Sequence, residues 1–223
     1  RRFLYELPAE DFVRVDRVEV ELYGSLAHTG HGHGTDIASL LGLEGEVPDF
    51  IDTSTVPQRI HDMRVARAIT LLGLRRVHFD PDRQLIFNRV DLLPVHSNGM
   101  RFAGYDSTGG LIAEREMYSI GGGFVVDTDE AFVGTSRGVE QKVPYHFETM
   151  QELLDKAAAA GKPMHELLLA NESALHTEAT TREFIQRVRG VMFDCINRGL
   201  CPGGPLPGGL HVTRRAKGIA ERL

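Results

Sequence analysis

The sequence predicts an α/β N-terminal domain (α+β-like, with a mixed sheet) followed by an all-helical segment. Three observations predict it. Val13, Val15, Val18, Val20 and Leu22 alternate with Arg, Asp and Glu, the period of two of a half-buried strand. Residues 100–105 and 111–120 flank Asp106-Ser107-Thr108-Gly109-Gly110, a hairpin signal with a longer loop. After about Pro144 the apolar residues change to helical spacing, as in Met150, Leu153, Leu154, Ala157 and Ala158.

Taken in order, residues 1–10 read as the end of a helix, and the strand follows from Phe12. The strand runs into Tyr23-Gly24 and on to Thr35-Asp36, where so many glycines predict a loop whose backbone approaches something closely. A short helix is expected over 36–42, capped by Thr35 or Asp36. The next carries Pro57 in its first turn, an apolar stripe of Ile60, Met63, Ala66 and Ile69, and Gly73 at its end. Strands are expected at 76–79 and 84–91 with a turn at Pro81-Asp82, and a further strand at 124–127 after Gly121-Gly122-Gly123. Three helices complete the pattern. One is closed by Gly161 and Pro163, and a second covers 164–175. The third opens at Thr180 with Glu183 in capping-box spacing and stops at Gly199. On it Phe184, Val188, Val191 and Cys195 share a face, which predicts a buried Cys195 thiol. Residues 201–209, rich in Pro and Gly, read as a linker.

Composition narrows the function. With 223 residues, 42% hydrophobic and 25% charged, the chain can bury a self-sufficient core. Its two cysteines exclude a disulfide scaffold, a four-cysteine zinc site or an iron–sulfur cluster held by this chain alone. A net charge of −6 argues against general nucleic-acid binding. No apolar run approaches the roughly 18 residues of a membrane helix. The opening Arg1-Arg2-Phe3-Leu4, without methionine, reads as part of something longer.

Two clusters can carry chemistry. His28, His31 and His33 sit among glycines and admit three readings: a metal site, a solvated loop, or a substrate-contacting loop in which an imidazole moves a proton. His96-Ser97-Asn98-Gly99 follows an apolar strand end. It is either a plain turn or a site where His and Asn bind a zwitterion.

Together these segments resemble the bacterial iron–sulfur L-serine dehydratases (L-serine ammonia-lyases), single-chain type. The resemblance is carried by Tyr23-Gly24-Ser25-Leu26, Thr29-Gly30, Gly32-His33-Gly34-Thr35-Asp36, Pro94-Val95-His96-Ser97-Asn98-Gly99-Met100 and Tyr118-Ser119-Ile120-Gly121-Gly122-Gly123-Phe124. Val143-Pro144-Tyr145, Asn171-Glu172, Ala174-Leu175-His176 and Arg214-Arg215-Ala216 extend it. It implies a β domain at 1–145, related to the allosteric substrate-binding domain of some phosphoglycerate dehydrogenases. A helical linker segment at 146–200 and the start of a catalytic α domain at 201–223 follow. It also implies conversion of L-serine to pyruvate and ammonia by β-elimination, assisted by a [4Fe–4S] cluster acting as Lewis acid. The cluster ligands belong to an α domain outside this chain, which makes the piece inactive alone, and no residue here is a metal ligand. A homodimer in the cytoplasm is implied, serving amino-acid catabolism and gluconeogenesis, with no nucleic-acid or membrane partner. His33, Thr35 and Asp36 match the catalytic motif. His28 and His31 stand where relatives commonly have a small or apolar residue and a lysine, which singles out His33. His96, Asn98 and Gly99, with Gly121 and Gly122, match a serine-binding, activating site. The alternative is a stand-alone serine-binding regulatory domain without catalysis.

Overall fold

The computed structural model describes residues 1–133, 142–201, 203–206 and 211–223. They belong to two compact units, 1–135 with 207–210, and 136–206 with 211–223. The first unit contains helices α1 (Arg2–Tyr5) and α2 (Ala9–Phe12), strand β1 (Arg17–Tyr23), and helices α3 (Gly24–His33), α4 (Thr35–Leu43) and α5 (Val56–Ala66). Strands β2 (Ala68–Leu71) and β3 (Arg75–His78), helix α6 (Pro81–Gln84), strands β4 (Leu85–Asn88), β5 (Gly99–Tyr105), β6 (Leu111–Gly121) and β7 (Phe124–Asp127), and helix α7 (Thr128–Val133) complete it. The second unit holds α8 (Met150–Ala160), α9 (Met164–Leu175), α10 (Glu178–Leu200) and α11 (Ala216–Ala220).

The sheet is mixed, as expected. Its order is β2-β3-β1-β5-β6-β7, with β4 also against β1. β1 is parallel to β3 and β4 on one side and antiparallel to β5 on the other. The period of two does what it should in β1: Val18, Val20 and Leu22 enter the core beside Leu40, Leu43, Phe79 and Phe102. Each such side chain contributes about 1.5–3 kcal/mol by leaving water. On the other face the Tyr105 hydroxyl donates to Glu19 (3.0 Å), Arg101 pairs with Glu21 (3.3 Å), and Arg17 lies over the Tyr105 ring. The hairpin at 106–110 is closed by the Asp106 carboxylate, which accepts from the Thr108 hydroxyl and from the Thr108 and Gly110 amides.

Several expectations are corrected. The first ten residues form two short helices, because Pro8 cannot continue a helix and caps the second. The strand starts only at Arg17: Val13 is exposed, and Val15 is buried outside the sheet. The glycine-rich stretch is α3 and α4, not a loop. Gly34, in the left-handed region at φ 70°, joins them and takes the cap position given to Thr35 or Asp36. α5 ends at Ala66, so Ile69 belongs to β2, where its side chain still reaches the core. The turn at Pro81-Asp82 is the one-turn helix α6. Its Gln84 is buried but satisfied, donating to the Val18 carbonyl (2.8 Å) and accepting from the Asp80 amide (2.6 Å). The strand expected at 84–91 is only β4.

In the second unit Leu153 and Ala157 of α8 pack on Leu167 of α9, with Tyr145 and Phe147 beside them. Asn171 ties this core to the preceding segment. Its Oδ1 accepts from the Tyr145 amide (2.8 Å) and its Nδ2 donates to the Tyr145 carbonyl (2.9 Å), so two separate motifs meet here. Thr177, not Thr180, caps α10, accepting from the Thr180 amide. Cys195 is exposed rather than buried, because nothing among the described residues covers its face of α10. Among the described residues no helix is long and apolar enough to cross a membrane.

Candidate functional site

The three glycine-bearing motifs converge where β1 ends. Gly24 turns the chain from β1 into α3 at φ 50°, and a Cβ there would overlap the Ser97 carbonyl oxygen and press on Leu92. Only glycine allows this approach. Beside it the Asn98 amide donates to His96 Nδ1 (3.0 Å), and Asn98 Nδ2 donates to the Ser119 carbonyl (3.3 Å). The Ser119 amide in turn donates to the Asn98 carbonyl (3.0 Å). Gly99 is buried opposite Tyr118 in the β5–β6 pairing, where a Cβ would lie 2.7 Å from Leu93. Gly121 and Gly122 form the exposed turn from β6 to β7. The structure therefore brings His96, Asn98 and Gly99 together with the end of the strand that carries Gly121.

Two features give this cluster its chemistry. Asn98 Oδ1 is buried with no hydrogen-bond partner, an acceptor that a donor could satisfy. His96 Nδ1 already accepts a hydrogen bond, so the neutral ring carries its proton on Nε2 and is a donor there. The phenols nearby are held protonated. Burial, and then donation to Glu116 at 2.7 Å, push Tyr118 up to about 12. Burial and the neighbouring Glu21 raise Tyr23 further still.

The second set lies at the other end of α3, roughly 14 Å along its axis at 1.5 Å per residue. His33 is exposed, with Nδ1 at 3.0 Å from the Thr29 carbonyl oxygen. A carbonyl can only accept, so in the neutral ring Nδ1 carries the proton and Nε2 is the basic nitrogen. Asp36 is buried at 6% exposure, with Oδ2 at 3.0 Å from His31 Nδ1 and Oδ1 accepting from the Ile37 amide. His31 stacks on Phe87, ring centroids 4.1 Å apart. Thr35, half-buried, accepts the Ser39 hydroxyl at its carbonyl. So Asp36 orients His31 rather than His33, a pairing that sequence reasoning missed. Phe87 lies far along the chain, and no local pattern announces it. Ser119 and Gly24 were read only as parts of motifs, because their roles depend on strand pairing and close approach.

Among the described residues no three His, Cys, Asp or Glu side chains gather as a metal-ligand set. A [4Fe–4S] cluster needs three or four thiolates. The chain has two cysteines, Cys195 and Cys201, both exposed, with the Cys201 thiol directed at the Asn197 carbonyl. This donor set does not fit a cluster.

Comparison with known proteins agrees with these motifs. Residues 1–130 match the model of the serine dehydratase beta chain. The chain belongs to this family. Every candidate residue from His33 to Gly122 falls inside the matched region. The L-serine dehydratase of Streptomyces coelicolor is 41% identical over 226 residues, spanning all of this chain and 49% of the relative. L-serine dehydratase 1 of Escherichia coli is 38% identical over 210 residues, 94% of this chain and 45% of the relative. That of Helicobacter pylori is 32% identical over 213 residues, 94% and 46%. The chain spans about half the length of the curated relatives it matches.

Proposed function

We propose that these residues are part of an L-serine dehydratase that converts L-serine to pyruvate and ammonia in the cytoplasm, serving amino-acid catabolism and gluconeogenesis. The observation that carries this is the 41% identity, over the whole chain, to a protein of that name. In this reading 1–145 is the β domain, akin to allosteric substrate-binding domains. Residues 146–200 are a helical linker segment, and 201–223 begin the α domain whose remainder is the partner. The assembly is a homodimer. The two cysteines here do not fit a [4Fe–4S] cluster, so in this reading the cluster belongs to the partner.

Elimination removes the Cα proton and the Cβ hydroxyl of serine, with net loss of water. The aminoacrylate formed tautomerises to an imine, which water hydrolyses to pyruvate and ammonium. His33 Nε2, exposed and free of the contact that Nδ1 makes to Thr29, is the group of this chain that accepts a proton. Thr35 and Asp36 hold the α3–α4 junction that presents it. The cluster at the other end of α3 serves a different purpose, recognition of serine as an activator. There His96 Nε2–H donates to the carboxylate, and Asn98 Oδ1 accepts from the ammonium group, which gives that buried acceptor its missing partner. Gly99 admits Leu93 against the start of β5, and Gly121 and Gly122 turn the chain at the end of the strand that carries Ser119.

Calorimetric titration of the chain with L-serine tests recognition. Binding should be lost in His96→Ala and Asn98→Ala and kept in His33→Ala. The chemistry is tested by joining the chain to the second half of the Streptomyces coelicolor relative and following pyruvate formation anaerobically. His33→Gln should lower kcat by roughly 10²–10⁴-fold. Absence of pyruvate from the joined wild-type protein would overturn the assignment.

A further inference from the structure

The strongest uncommitted surface of the molecule is on α10. At 100° per residue, Phe184, Ile185, Val188, Val191, Met192 and Ile196 fall within an arc of about 140°. Such an arc is the width of a helix that faces a core. Yet these six side chains are 38–60% exposed. α10 has 23 residues, roughly 34 Å of helix, and Thr181 near its N-terminal end is its one buried residue. An isolated stretch of helix in water is marginally stable, and most helices are held by packing of their apolar face.

We propose that this stripe is the docking face for the half of an L-serine dehydratase that this chain does not match, a polypeptide presenting a complementary apolar surface. The proposal rests on the functional reading above and names the surface through which the partner is engaged. Three observations select this occupant. The beta-chain family model covers 1–130 and stops well before α10, whereas the dehydratases match through α10, and half of each relative's own length lies outside the match. α10 therefore goes with sequence shared by the whole enzymes rather than with the beta-chain unit. The width of the stripe suits a helix set into a multi-helix core, where a two-helix pairing of copies would use the narrower seam of a coiled coil. Outside the stripe Arg182, Arg187, Arg189 and Arg198 mix with Glu183 and Asp194, and Phe193 interrupts the polar side, unlike the uniformly basic face of a helix that lies on an anionic membrane.

The test mixes the 223-residue chain with the separately expressed second half of the Streptomyces coelicolor relative, measuring association by light scattering and titration. A one-to-one complex is expected. Val188→Asp with Met192→Asp should weaken it by roughly 30-fold or more, as for a buried interface centre. Gln186→Glu on the polar face should leave it unchanged. Hydrogen exchange on the wild-type chain supplies a readout independent of the variants' folding, since α10 amides should become protected only in the complex. The proposal is overturned if no complex forms, if the double variant binds as tightly as wild type, or if α10 exchange does not change. It is also overturned if the chain alone is a dimer that Val188→Asp dissociates, since a second copy would then cover the stripe. A complex that forms through α10 but makes no pyruvate would leave the docking face standing and remove the catalytic reading.

Discussion

α3 and α10 are both helices, and their sequences point the opposite way from their surroundings. α3 contains glycine at positions 24, 30 and 32, which should disfavour a helix by about 1 kcal/mol each, yet it packs against the sheet. Gly30 sits where a Cβ would touch the Phe87 ring at 3.0 Å, and Gly24 where one would overlap the Ser97 carbonyl. α10 has a regular amphipathic pattern and a side-chain cap at Thr177, but its apolar face has no cover among the described residues. Local propensity and tertiary packing are thus separable here. In α3, close approach by neighbours overrides propensity; in α10, propensity and capping define a helix ahead of its packing.

Substitutions at glycine should break this contrast most sharply. Gly24→Ala places a Cβ into backbone at a positive φ, where nothing can yield, and should cost about 3 kcal/mol or more in urea unfolding. On α10, Thr177→Ala removes the hydroxyl that accepts from the Thr180 amide and should cost about 1 kcal/mol, seen as loss of helical circular dichroism on heating. Gly190→Ala, where a Cβ meets open space, should instead stabilise α10 by about 0.5–1 kcal/mol in the same melt. If Gly24→Ala also stabilised, the close-approach account of α3 would be wrong. The smallest effect belongs to the β5–β6 turn. Hydrogen bonds from the Thr108 hydroxyl, then from the Gly110 and Thr108 amides, hold the Asp106 carboxyl below its usual range. A depressed pKa contributes stability above the unfolded value, lost as pH falls through the folded one. Asp106→Asn should therefore flatten the acid side of the unfolding midpoint against pH and leave its neutral side nearly level.

What the sequence made legible follows from where the information lies. The alternation at Val18, Val20 and Leu22 is local, as are the Asp106–Gly110 turn and the apolar spacing and stop of α8, so these elements stand where expected. Ile69 continued the helical spacing of Ile60 and Met63, but Arg67 takes a left-handed conformation at φ 45° that ends the helix, and a strand begins at Ala68. Periodicity could not distinguish those two ways of burying the same side chain. Cys195 was misread because an apolar stripe says that a face is suited to burial, not that something buries it. At the site, His96, Asn98 and Gly99 were visible as a motif. Their link to Ser119, and Asp36's choice of His31 over His33, depend on contacts that only the folded chain makes.

The place of β1 in the sheet has a consequence for the order of events during synthesis. It is made before its neighbours β3, β4 and β5: Val20 lies opposite Leu85 on one side and Phe102 on the other, and Arg17 opposite Tyr105. Until that later stretch has left the ribosome, a nascent chain carries an apolar strand with both edges bare. Pairings between residues so far apart in sequence form slowly, and unpaired edges invite association with other chains. The sheet around β1 therefore cannot close until Tyr105 has emerged, and until then both of its edges stay open to association with other chains.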